Sequence, residues 1–327
     1  MRNLTATLHP QVVAFLDAMP AATFRSIDDI SVAEFRDQFE KIATSQITET
    51  IRVGRISLIA IPGPNGEIVA RIYHPLLNSG VRGNTSPLIV YFHGGGHVVG
   101  SLDSHDNVAR RLCIECESIV ASVDYRLAPE NKFPAAIEDS YAATKWLADN
   151  AEDLGAQIDE LSVAGDSAGG NIAAVVAILG RDDDQGPQIK FQLLLYPITD
   201  YSCTSKSYQI YGSGFGGLTS QRMLWFQRNY LPETSCIEDW RVSPLKATDL
   251  SGLPKALVIT AECDVLHDEG AAYAKAMAAA GTEVEYIDWP GMIHGFIGSA
   301  AIFDDGKAAL RLAASRLKEA FNDENKE

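Results

Sequence analysis

The chain has 327 residues, 46% of them hydrophobic and 21% charged, enough to bury a large core without a disulfide or a metal to hold it. With 27 Lys and Arg against 43 Asp and Glu, its formal charge is -16. Such a surface repels phosphate backbones and anionic head groups, which argues against nucleic acid and membranes as partners.

Met1 to Pro20 lack the basic start, apolar stretch and small-residue cleavage site of an export signal, and the longest apolar run, Ile172 to Leu179, is too short to span a bilayer. The expectation is a soluble, cytoplasmic protein. Five cysteines without regular spacing agree with a reducing compartment, and without export the two sequons at Asn3 and Asn84 carry no weight.

The first 45 residues carry helix signals, including Ser31 followed by Glu34, a capping box ahead of an apolar-periodic segment. From about residue 51 the pattern alternates. Strands are predicted at 51–60, 67–74, 88–92, 118–123, 161–164, 189–196, 256–261 and 284–289, and helices at 107–117, 134–150, 168–179, 269–280 and 306–321. Several strands are short β-branched runs, as expected where both faces of a sheet are covered. Alternation of this kind predicts an α/β fold, a mostly parallel eight-stranded sheet flanked by helices.

The segment 201–240 breaks the alternation and is rich in glycines and aromatics, among them Tyr208, Tyr211, Phe215, Trp225 and Phe226. Together with residues 1–45 it is read as a helical cap over the carboxyl ends of the strands, where open α/β sheets bind ligands. The catalytic domain would then comprise residues 46–200 and 241–327.

Gly165-Asp166-Ser167-Ala168-Gly169 stands between a predicted strand and a predicted helix. Glycines on both sides of the serine allow the sharp strand-to-helix turn that exposes a nucleophilic hydroxyl. His93-Gly94-Gly95-Gly96 follows the strand 88–92, and its backbone amides suit the oxyanion of an acyl-transfer intermediate. Gly94 and Gly95 are the predicted donors, with Ala168 as the third, and His93 is read as a brace for the loop.

A serine hydroxyl needs a base, and the base needs an orienting carboxylate. His294, in the loop beyond the strand 284–289, is the predicted base, and Asp264, just after the strand 256–261, the predicted acid. Asp288 lies inside a strand and is the weaker rival. Asp268 is expected to cap the helix starting near Glu269.

With these residues in place, the chain resembles bacterial esterases of the hormone-sensitive lipase family, within the α/β-hydrolase superfamily. His93 to Gly96, Asp124 to Glu130, Gly165 to Asn171, Tyr196-Pro197, Ser243 to Leu245, Asp264 with Asp268 to Gly270, and Ile293 to Phe296 match its blocks in order. The resemblance implies a triad of Ser167, Asp264 and His294, an oxyanion hole from the glycine loop, a helical cap, small ester substrates with short to medium acyl chains, and frequent homodimers. It calls for no cofactor and no metal. The chain departs from the family at His97, where a bulky aromatic is usual, and at Cys263, where a larger residue is common; either could reshape the pocket, and His97 could touch a polar acyl group.

Three other features are read as structural. Cys113 and Cys116 are small hydrophobes in a helix, Asp182 to Asp184 a solvated helix end, and Gly212 to Gly217 a turn that does not cradle phosphate. A ligand-binding protein on the same fold, or an amidase or lactonase using the same triad, are the competing functional readings.

Overall fold

The computed structural model describes residues 7–18, 26–45, 50–76, 85–215 and 217–322; the sequons at Asn3 and Asn84 lie outside them, as does Gly216. Eight strands form one sheet: β1 (Arg55–Gly63), β2 (Gly66–His74), β3 (Ser86–Phe92), β4 (Ile119–Asp124), β5 (Ala156–Asp166), β6 (Ile189–Leu195), β7 (Lys255–Ala261) and β8 (Val284–Trp289). Their order is β1-β2-β4-β3-β5-β6-β7-β8. β2 runs antiparallel to both its neighbours and all other pairings are parallel.

Burial follows position in the sheet. In β3 the run Pro87 to Phe92 is wholly buried, because helices cover both faces of a central parallel strand. In β1, at the edge, burial is intermittent and Leu58 is exposed. The predicted strands match all eight, with β1 starting four residues later than its predicted position at 51 and β5 extending on both sides of 161–164.

The helices are α1 (Pro10–Ala18), α2 (Val32–Ser45), α3 (Asp106–Cys116), α4 (Ala135–Asp149), α5 (Ala168–Asp182), α6 (Lys206–Tyr211), α7 (Ser220–Tyr230), α8 (His267–Ala279) and α9 (Asp304–Asn322). The long apolar run noted in the sequence is the body of α5. A helix apolar on every side must be enclosed, and Ile172 to Ile178 are all buried. Among the described residues no helix is long and apolar enough to cross a membrane.

Residues 26–45 and 201–240 meet above the carboxyl end of the sheet. The ring of Phe35 packs edge-on against Trp225 at 5.4 Å, and Asp28 accepts from Gln221 at 2.8 Å and from Arg228 at 2.6 Å. At the start of α2 the amide of Glu34 donates to Ser31 Oγ at 3.2 Å, the cap expected from sequence. Arg36 ties α2 to the core: Nε donates to Val98 O and Nη2 to Ala128 O, both at 2.8 Å.

Candidate active site

β5 carries the chain straight into the serine. Ser167 has φ 55° and ψ -116°, a backbone conformation that costs an L-residue about 1–3 kcal/mol and survives only where its surroundings enforce it. Enforcement comes from both sides. The Ser167 amide donates to Leu195 O at 2.8 Å, and its carbonyl accepts from Asn171 and Ile198 at 3.0 and 3.1 Å. A side-chain carbon at Gly169 would stand 1.9 Å from Phe92 O, so the turn between β5 and α5 closes only over glycine.

Asp264 and His294 reach this serine from two later loops. His294 Nδ1–H donates to Asp264 Oδ2 at 2.6 Å, which leaves Nε2 as the acceptor for Ser167 Oγ–H at 3.0 Å. Asp264 is buried, and its other oxygen accepts from the Leu266 amide at 3.1 Å, fixing the carboxylate in place. The rival acid Asp288 faces a different histidine, since His267 lies between Asp268 at 2.9 Å and Asp288 at 3.4 Å. Hydrogen bonding to Asp288, against the opposing effect of burial, and to Asp268 raises the His267 pKa to about 9.

The glycine loop departs from expectation at one residue. The amide of Gly94 donates to Asp166 Oδ1 at 2.9 Å and is therefore committed inside the protein, so Gly94 is withdrawn as an oxyanion donor. Gly95 and Gly96 line the cavity beside Ser167, and among the described residues nothing accepts from their amides or from that of Ala168. Gly95 has φ 116°, open only to glycine, and an added carbon there would meet Val99 O at 2.1 Å.

Asp166 is the pin of this arrangement. It also accepts from Tyr91 at 2.6 Å and faces His105 at 3.6 Å. Burial favours its protonation, yet the facing His105 and the Tyr91 hydrogen bond hold its pKa below the usual carboxylate range.

His93 braces the loop as expected: Nδ1–H donates to Gly94 O at 2.7 Å and its ring stacks on Tyr125 at 4.4 Å. His97 does not line the cavity. It is buried, stacked on Tyr230 at 3.9 Å with Nδ1 2.8 Å from the Tyr201 hydroxyl, and turned away from the cavity. Burial lowers both histidine pKa values to about 3. Cys263 is likewise buried outside the cavity wall, and Cys113 and Cys116 are core residues of α3. Asp268 is not the helix cap, because α8 begins one residue earlier; its Oδ2 accepts from the Ser207 amide at 2.8 Å. Asp183 ends α5 as a solvated turn, accepting from Tyr141, Lys145 and Gln185.

Over Ser167 opens a cavity of about 300 Å³. Of Phe215, Trp225 and Phe226 in the aromatic segment, only Phe226 lines it. The larger share comes from α2, with Phe35, Phe39 and Ile42, and from Phe15 and Phe303. The 35, 39, 42 spacing is one face of a helix, a signal present in the sequence. Two functional candidates, Asp166 as a pin and Arg222 in the wall, had no such signal.

A strained serine between strand and helix, a histidine and a buried carboxylate aligned behind it, and free amides in front make up the arrangement of an α/β hydrolase. The model of a family of the alpha/beta hydrolase fold matches residues 89–298. The chain is 43% identical over 304 residues to the carboxylic ester hydrolase LipN of Mycobacterium tuberculosis, covering 89% of this chain and 79% of that one. It is 39% identical over 321 residues to the carboxylesterase NlhH of the same organism, covering 96% and 97%. The solved esterase of Pyrobaculum calidifontis superposes with a TM-score of 0.89 at 40% identity, covering 96% and 99%. This chain belongs to the hormone-sensitive lipase family of esterases.

Proposed function

We propose that this carboxylic ester hydrolase cleaves esters of short to medium acyl chain through an acyl-enzyme on Ser167. The observation that carries the reading is the alignment of Asp264, His294 and Ser167, at 2.6 and 3.0 Å, on a backbone strained to present the hydroxyl. Ser167 Oγ attacks the ester carbonyl as His294 Nε2 takes its proton, and Asp264 stabilises the resulting imidazolium. The negative charge moves to the carbonyl oxygen, within reach of the amides of Gly95, Gly96 and Ala168, each such donor being worth about 2.7–4 kcal/mol. Collapse expels the alcohol, protonated by His294. Water, deprotonated by the same ring, then attacks the acyl carbon and releases the acid and Ser167. Ester, water and these groups balance every atom and proton.

Residues 1–45 and 201–240 act as the cap that limits acyl length. A cavity of about 300 Å³ with aromatic walls gains burial of about 0.8 kcal/mol per methylene until it is full, and then repels. The test is Ser167→Ala, which should fold normally and lose ester turnover by a factor on the order of 10⁴ to 10⁶. A serine-directed phosphonate should label the wild type at Ser167 alone. Retention of a tenth of the wild-type kcat by the alanine variant would overturn the assignment.

A further inference from the structure

Arg222 occupies the first turn of α7 and lines the cavity together with Phe35, Gln38 and Phe226. Among the described residues no carboxylate lies within ion-pair distance of it. Its Nη1 donates to Gly217 O at 2.6 Å, and its guanidinium sits 5.8 Å from the Phe35 ring. A guanidinium carries five N–H donors, so one carbonyl leaves most of them available. Burial without a compensating anion pushes its pKa below the ordinary arginine value.

The carboxylate and the histidines in the wall are already paired, Asp166 and His105 facing each other at 3.6 Å. Asp166 is occupied by Tyr91 and Gly94, and His294 by Asp264 and Ser167. Elsewhere the wall is largely aromatic and aliphatic, where an unpaired cation is costly unless an anion visits. The helix also fixes where Arg222 stands relative to the oxyanion loop. Phe226 packs so closely on the oxyanion loop that a side-chain carbon at Gly96 would meet its ring at 2.3 Å. Arg222 precedes Phe226 by one turn of α7, about 6 Å along the axis.

We propose that Arg222 is a specificity residue that receives an anionic group, a carboxylate, at the far end of the substrate, so that the cavity favours half-esters of linear dicarboxylic acids over neutral esters of the same length. The proposal rests on the ester-hydrolase reading of the site and concerns only which esters it selects. A bidentate guanidinium–carboxylate contact suits this geometry, and its value is greatest where water is excluded. The overall negative charge of the chain repels every anion at long range, but it acts equally on wild type and variant and cancels in a ratio.

The experiment compares monoethyl esters of adipic, pimelic and suberic acid with the matching ethyl esters in which the free carboxylate is a carboxamide, a neutral group of the same shape. Ethanol release gives kcat/KM for each pair on one enzyme preparation, so the folded fraction cancels. Wild type should prefer the carboxylate member at the best-fitting length, and Arg222→Met should lower the carboxylate-to-carboxamide ratio by about tenfold or more. Arg222→Lys should restore part of that ratio. Two results would overturn the proposal: a ratio unchanged in Arg222→Met, with both members losing rate alike as a mere brace for Gly217 would cause, or a wild type that hydrolyses aryl esters but favours neither member of any pair. Failure of the wild type on simple aryl esters would instead sink the ester-hydrolase reading itself.

Discussion

The floor and the roof of the cavity are built on different principles. Below, Ser167, His294, Asp264 and the glycine loop sit on strand ends, each fixed by buried hydrogen bonds of 2.6–3.1 Å and by backbone angles that tolerate little change. Above, α1, α2 and α7 meet the cavity mainly through apolar side chains, ring against ring at Phe35, Trp225 and Phe226, while the hydrogen bonds that anchor α2, such as those of Arg36, lie away from the wall. Chemistry requires atoms placed to tenths of an ångström, whereas acyl selection requires a volume of roughly the right shape. The floor should therefore fail abruptly on mutation and the roof should drift.

The sharpest test exchanges an oxygen for a nitrogen in the floor. Asp264→Asn disturbs the tautomer of His294 without touching the cavity and should lower kcat by a factor on the order of 10⁴ with little change in KM. Asp288→Asn, one strand away, should leave kcat within a few fold, since Asp288 serves His267. Steady-state kinetics on an aryl ester decides it, and greater sensitivity at Asp288 would reassign the acid.

A second effect probes the floor by pH. His93 and His97 are buried and neutral, with pKa values near 3 where an unfolded histidine has about 6.5. The unfolded chain binds their protons first, so their contribution to stability is full above about pH 6.5 and falls as pH drops toward 3, by about 1.4 kcal/mol per pH unit for each. His267 acts in the opposite direction: with a folded pKa of about 9, its contribution is full below about 6.5 and is lost as pH rises through 9. Urea unfolding between pH 7 and 4 should show a steep loss that His97→Phe makes shallower by one proton's worth. An unchanged slope in that variant would mean His97 is not the group that titrates.

The smallest effect belongs to the roof. Phe39→Ala should move the acyl-length optimum toward longer chains and change individual rates by only several fold, as each newly fitting methylene adds about 0.8 kcal/mol. Trp225→Phe, behind the wall, should leave the optimum where it is. The readout is kcat/KM on aryl esters of graded acyl length, and a shift at Trp225 equal to that at Phe39 would contradict the proposed wall.

What could be read from sequence divides along the same line. Ser167, Asp264 and His294 each stand in a short local pattern at a strand's carboxyl end, and period and glycine placement locate such positions without knowledge of the fold. The eight strands were legible for the same reason. Which of three consecutive glycines turns its amide toward the cavity was not, because Asp166, which claims Gly94, lies 72 residues away. In the roof the contributors were less legible: composition drew attention to the aromatic insertion, of whose aromatics only Phe226 lines the cavity, while α2 adds Phe35, Phe39 and Ile42. Arg222 shows the limit plainly, since only the packed structure reveals that no carboxylate among the described residues lies beside it.

The hydrogen bond from Gly94 to Asp166 reaches beyond geometry. It ties the loop after β3 to the turn after β5, so that neither can be correctly seated while the other is adrift. A chain caught partway through folding, or one locally opened at either strand, lacks both the presented serine and the aligned amides at once. Such a chain would not be a slower, less selective hydrolase. It would be inert, and activity in this molecule becomes a report on the integrity of its central strands.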